Sequence, residues 1–184
     1  MKKQFLLPLL IVLVAIVAMR KTTQPIALKN KKEVIEWLTF EEAVERCKKN
    51  PKKILIDVYT DWCGWCKKMD KDTYEHPTIA TYINKHYYAV KFNAEQKEPV
   101  VFDNYTFKFI PQGRGGYHEL AASLLQGQMS YPSTVFLDEN LRLIQPLPGY
   151  YNAKDFDPIL KYFIEGMPKN MSWEEYRKIY RSPF

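Results

Sequence analysis

Two cysteines three residues apart carry the densest chemical signal in this chain, in the tetrapeptide Cys63-Gly64-Trp65-Cys66. The apolar run Ile54-Leu55-Ile56-Asp57-Val58-Tyr59 leads into them, and the helix-favouring Lys67-Lys68-Met69 follows. A buried strand, a short turn and a helix that opens on two thiols make a redox device. The first thiol falls where unpaired backbone N–H groups and the helix dipole favour its thiolate. Such a position can bring a cysteine pKa from about 8.5 to about 7 or below. Cys66 lies on the same helical face, within the roughly 4.4–6.8 Å Cα separation that a disulfide needs. Cys63 is expected to attack, being nearer the helix start and more exposed, and Cys66 to resolve the mixed disulfide.

Other uses of the pair fit less well. A closed zinc site usually takes four ligands, and the rest of the chain offers Cys47 and three scattered histidines, His76, His86 and His118. Covalent haem attachment wants a histidine after the second cysteine, where Lys67 stands. A structural disulfide remains open, although so short a loop constrains the unfolded chain little. No cofactor and no metal are called for. Asp57 is the second chemical oddity, because a lone carboxylate in an apolar strand is costly unless partnered or protonated. Trp62 and Trp65 flank Cys63 and are candidates for an apolar lip around it, or for packing against the helix.

The chain of 184 residues has room for one domain plus a leader. Its 46% hydrophobic content supports a core without stapling disulfides. The formal charge of +6 comes from 27 basic and 21 acidic residues. Lys2, Lys3, Arg20 and Lys21 belong to the leader, which leaves 23 against 21. No basic patch suited to tracking phosphates stands out, so nucleic acid is not an expected partner. Phe5 to Met19 is an apolar run broken only by Pro8. As a helix it would be about 22 Å long, short of a roughly 30 Å hydrocarbon core. Lys2-Lys3, this run, and then Ala15 and Ala18 match a secretory signal; an uncleaved membrane anchor through 5–19 is the alternative. No cysteine follows the run to carry a lipid. The expected organisation is a signal peptide or anchor over 1–21, a polar linker over 22–36, a domain over 37–168, and a short C-terminal helix within 169–184.

Within the domain, Thr39-Phe40-Glu41-Glu42 is a capping box that opens a helix through about Lys49. Phe40, Ala43, Val44 and Cys47 recur at core spacing, which makes Cys47 a small buried residue. His76-Pro77 starts another helix, and Tyr87 to Asn93 reads as a strand. An insertion over 96–116 follows. In it Val100-Val101-Phe102 and Tyr105 to Phe109 form a hairpin around Asp103-Asn104, and Arg114-Gly115-Gly116 turns the chain into a helix over roughly Tyr117 to Gln126. Thr134 to Leu137 and Leu141 to Ile144 form a further hairpin. Gly149 marks a turn or bulge, Asn152 caps a helix to about Glu165, and Ser172-Trp173-Glu174-Glu175 caps a last short one. This is an α/β sandwich order.

The run Asp57-Val58-Tyr59-Thr60-Asp61-Trp62-Cys63-Gly64-Trp65-Cys66-Lys67 resembles the active-site segment of the thioredoxin superfamily, with Trp65 in place of thioredoxin's proline. Val90-Lys91-Phe92-Asn93 resembles the next central strand, Tyr131-Pro132-Ser133-Thr134-Val135-Phe136-Leu137 the segment bearing the family's cis-proline, and Gly149 its late glycine. The match runs from about Thr39 to Glu165 and is similar to exported thioredoxin-like proteins, such as the soluble domain of transmembrane thiol reductases. It implies a three-layer α/β sandwich with a central mixed sheet and a β-hairpin/helix insertion before the cis-Pro segment. It further implies a thiol:disulfide oxidoreductase in which Asp57 exchanges protons with Cys66, Lys91 is the charge partner of Asp57, and Pro132 is cis. The backbone of Tyr131 would then receive an extended substrate.

Strongly oxidising relatives often carry a histidine between the cysteines; its absence here points to reduction or exchange. The expected partners are protein thiols and disulfides and a membrane electron donor, and the expected place is extracytoplasmic, periplasmic or anchored facing the periplasm, in a bacterium. The alternatives are a disulfide oxidase or isomerase, or a membrane-tethered binding module without turnover that uses its insertion and the Trp173/Tyr176/Tyr180 stripe.

Overall fold

A computed structural model of the chain describes residues 33–184. The expected leader over 1–21, the apolar run 5–19 and most of the 22–36 linker lie outside the described residues. Among the described residues no helix is long and apolar enough to cross a membrane.

The central strand is β2 (Lys53–Tyr59), apolar on both faces from Ile54 onward apart from Asp57, because both of its faces are covered. Ile54, Ile56 and Val58 point into one core, whereas Leu55 points into the other. β2 lies between β3 (Tyr87–Asn93), parallel to it, and β8 (Ser133–Leu137), antiparallel. The short β1 (Trp37–Leu38) and β9 (Leu143–Pro148) form the edges, giving the order β1-β3-β2-β8-β9. β9 carries Pro146 and Pro148 on that open edge, where a missing N–H removes no bond from the sheet interior.

Helices cover the two faces. α1 (Phe40–Lys49) has the predicted Thr39 capping box and buries Phe40, Ala43, Val44 and Cys47. It shares its core with Leu120, Ala121 and Leu124 from α4 (Glu119–Leu124). On the other face lie α2 (Gly64–Met69), α3 (Pro77–His86) and α5 (Ala153–Lys161), packed on Leu55, Ala89 and Phe136. A π-helical turn, Asp70–Tyr74, continues α2 toward α3. The result is the three-layer sandwich with a mixed central sheet.

The insertion differs from the expectation. Its first hairpin, β4 (Val100–Phe102) and β5 (Tyr105–Phe107), turns on Asp103 and Asn104, both at positive φ. A second hairpin follows, β6 (Phe109–Gln112) with β7 (Gly115–His118). Gly115 and Gly116 therefore belong to a strand instead of leading into a helix. Gly116, at φ +156°, sits so close to Phe109 and the Ile110 carbonyl that no side chain fits. The helix begins only at Glu119, where His118 Nδ1 accepts the Leu120 N–H at 3.2 Å.

Two further details change. Glu33 to Glu36, expected within a free linker, pack on α3: Asn84 bonds Glu33, Val34 and Glu36. The Trp173/Tyr176/Tyr180 stripe of α6 (Trp173–Ile179) and the residue after it faces its own chain. Trp173 and Tyr176 pack on Tyr162, and the Tyr180 hydroxyl bonds Asp157. Within it Tyr176 is buried, whereas Trp173 and Tyr180 are half-buried.

Candidate active site

Cys63 is the N-cap of α2, so its sulfur faces the unpaired N–H groups of the first turn. The Cys66 N–H donates to Cys63 Sγ at 3.0 Å. The two sulfurs are joined as a disulfide, with Cα atoms 5.3 Å apart. The expected difference in exposure is absent: Cys63 is 4% exposed and Cys66 3%. What separates the sulfurs is position, since Cys63 sits at the cap and Cys66 lies one turn inside.

The exposed groups are the tryptophans, Trp62 at 67% and Trp65 at 60%. Each is held by an aromatic partner. Trp62 meets Tyr131 edge-on at 5.9 Å, and its Nε1 donates to Glu95 Oε1 at 3.1 Å. Trp65 packs on Tyr150 at 5.3 Å, and Tyr150 in turn donates to Asp72 Oδ2. The Tyr131–Pro132 bond is cis, and the Gly149 N–H holds the Pro132 carbonyl at 2.8 Å. Burial, then the nearby Glu95, pushes the Tyr131 phenol up to about 12.

Asp57 points to the same side of β2 as Leu55 by strand alternation, beneath the helix that carries Cys66. Its cross-strand neighbours are Lys91 on β3 and Thr134 on β8. Asp57 is 1% exposed, and Lys91 Nζ lies 2.6 Å from its Oδ2. Burial pushes the Asp57 carboxyl up to about 6, against the pull of Lys91 and with a smaller push from Asp70. Burial lowers the Lys91 pKa, but Asp57 and Asp70 together hold it above the usual lysine value.

The structure thus places Cys63, Cys66, Trp62 and Trp65 on one turn, with Asp57 and Lys91 on adjacent strands and Tyr131 and Pro132 entering β8. Sequence reasoning missed Asp70, Glu95 and Tyr150. Asp70 was within reach: it follows Cys66 by four residues, and so lies on the same helical face. Glu95 and Tyr150 sit in loops without a periodic signal. Cys47 is buried, with its Sγ 3.1 Å from the Lys52 carbonyl, apart from this chemistry. Among the described residues no three His, Cys, Asp or Glu side chains group as metal ligands.

Sheet order, helix placement and this site define a protein of the thioredoxin superfamily. The chain belongs to the Thioredox_DsbH family, described as a protein of unknown function, DUF255, whose family model matches residues 17–157. A disulfide bond reductase DsbH from Chlamydia pneumoniae is 32% identical over 76 residues, 41% of this chain and 43% of that protein. Uncharacterized protein B0495.5 of Caenorhabditis elegans is 29% identical over 94 residues, 50% of this chain. The chain spans 13% of that relative's length, and similarly small parts of its other animal relatives. A solved DsbH oxidoreductase superposes with a TM-score of 0.54 at 20% identity, covering 80% of this chain and 93% of the other. At that identity the likeness speaks for the fold.

Proposed function

We propose that this protein is a thiol:disulfide oxidoreductase that reduces or exchanges disulfides of extracytoplasmic proteins through Cys63 and Cys66. The observation that carries the reading is the Cys66 N–H donated to a cap-position Cys63 sulfur, with a buried, readily protonated Asp57 beneath the same helix. The name of the chlamydial relative, disulfide bond reductase, supports the direction.

In the reduced protein the Cys63 thiolate attacks one sulfur of a substrate disulfide, and the other substrate sulfur leaves with the bonding pair and takes a proton. Asp57 accepts the Cys66 proton as the Cys66 sulfur attacks Cys63 Sγ. The Cys63–substrate bond breaks, the second substrate thiol is released, and Cys63–Cys66 is left oxidised. Both substrate sulfurs leave as thiolates that take their protons from solvent, while the protein has passed two electrons to the substrate. Their replacement calls for a reduced dithiol partner, which in an oxidising compartment points to a membrane electron donor. Trp62 and Trp65 would flank the incoming disulfide, and the Tyr131 backbone would pair with an extended substrate strand, with Pro132 keeping the approach open. Residues 1–21 would serve as signal or anchor and the chain through Lys32 as tether, presenting the 37–168 domain outside the cytoplasm.

Insulin reduction with a dithiol donor tests the reading. The wild type should precipitate insulin chains well above the donor-only rate, and Cys63→Ser should fall to that rate. Equal rates for the two proteins would leave a binding module as the better description.

A further inference from the structure

Lys91 serves two carboxylates unequally. Its Nζ lies 2.6 Å from Asp57 Oδ2 and closer still to Asp70 Oδ1, and only the Asp70 contact has the alignment of a hydrogen bond. Both oxygens of Asp57 are buried without an aligned donor. The rings of Trp37, Tyr59 and Tyr74 surround the ammonium at 5.0–5.7 Å and fix its position.

Lys91 and Asp70 also line a cavity of about 510 Å³, together with Trp37, Tyr74, Glu75 and the segment 33–35. Neither cysteine lines it, nor do Trp62, Trp65, Tyr131 or Pro132. The cavity thus shares no lining residue with the face where a substrate would be joined to Cys63. A proton taken from Cys66 while substrate covers that face needs another way out; Asp57 itself does not line the cavity, but Lys91, 2.6 Å from its Oδ2, does.

We propose that Asp70 is a positioning residue that shares Lys91 with Asp57, and that the cavity lined by Asp70 and Lys91 is the route by which Asp57 exchanges its proton with water. A fully aligned Lys91–Asp57 pair would hold the carboxylate ionised and make it a poor base near neutral pH. Sharing the lysine restores its basicity. In balance, Asp57 receives the Cys66 proton as the Cys66 sulfur displaces the substrate thiolate, and then releases that proton to cavity water; no further reactant is consumed. The purpose of the device rests on the proposed dithiol exchange, but its test does not.

Carboxyl ¹³C NMR of the oxidised protein reads the Asp57 titration directly. In Asp70→Asn the midpoint should fall by about one pH unit, because a like charge is removed and Lys91 turns fully to Asp57. Asp70→Glu should restore it toward wild type. In a Lys91→Gln background, Asp70→Asn should move the midpoint much less. Asp70→Ser reads the same shift should Asp70→Asn fold poorly. A folded variant with an unmoved midpoint overturns the role of Asp70.

The route is read in Cys66→Ala protein trapped as a mixed disulfide between Cys63 and a peptide. Asp57 should still follow a pH jump there, and an Asp57 that no longer exchanges with solvent overturns the cavity route. A protein that shows both results yet fails to reduce insulin keeps this inference and loses the proposed function. Active enzyme with an unmoved midpoint does the reverse.

Discussion

Asp57 shows how one residue links stability to chemistry. Its folded-state pKa is about 6, above the 3.8 of a free aspartate, with burial as the main cause. Between those values the folded chain holds more protons than the unfolded one, so stability is present below about pH 4 and is lost as pH rises through about 6. Asp57→Asn should accordingly be more stable than wild type at pH 8, by about 1–3 kcal/mol, with the advantage gone near pH 4. Urea unfolding at the two pH values measures it, and equal stability at pH 8 would refute the cost assigned to this carboxylate. The same variant should accumulate mixed disulfide in stopped-flow assays if, as proposed, Asp57 is the base for the resolving thiol. Cys63 should be alkylated faster than Cys66 in the reduced protein, on the strength of its cap position and of the N–H that Cys66 donates to it. Mass mapping after a short iodoacetamide pulse decides this, and preferential labelling of Cys66 would reverse the roles. Asp57 was legible in the sequence because an acid inside an apolar strand breaks its pattern. Asp70 was offered by its spacing from Cys66 but passed over, because an acid on a charged helix looks like any solvated one.

At the scale of elements, the regular parts followed from local signals: the capping boxes at Thr39 and Ser172, the proline opening α3, and the apolar run of β2. The insertion did not. Gly115 and Gly116 read as a turn into a helix, whereas Gly116 is a strand residue held by its close approach to Phe109 and Ile110. His118 is a rare cap, and only its tertiary setting reveals it: Nδ1 accepts from Leu120 while Nε2 lies 3.1 Å from the Glu98 carbonyl. Gly116→Ala should cost about 1–3 kcal/mol, as expected of strain at a special backbone position, readable as a lower melting temperature. Burial lowers the His118 pKa below the usual histidine value. The unfolded chain then binds more protons as pH falls below about 6.5, so this contribution to stability is lost on acidification. In the Asp57→Asn background, where the opposing carboxylate is silent, stability should decline from pH 7 to 5. His118→Asn keeps an acceptor for the Leu120 N–H and should reduce that decline, with His86, whose pKa burial also lowers, supplying part of the rest; an unchanged slope would remove His118 as a source.

For the whole molecule, the measurable property is the reduction potential of the Cys63–Cys66 couple. Gly64 and Trp65 add no positive charge beside Cys63, so the potential should lie nearer about −270 mV than the roughly −120 mV of a strong oxidant. Equilibration with glutathione, followed by tryptophan fluorescence, gives the value. A result above about −150 mV would make the protein a disulfide donor and reverse its direction. The rim of the sheet bears on a different property, colloidal behaviour. One edge strand, β1, has two residues, and the other, β9, carries Pro146 and Pro148. Neither margin presents a long row of free N–H groups on which a foreign chain could nucleate. A protein proposed to exchange disulfides of other proteins meets extended segments of them, and these blunt margins should favour their release without co-aggregation. Valines at both proline positions should leave the thiol chemistry untouched yet make the protein turbid in the presence of a reduced, unfolded client.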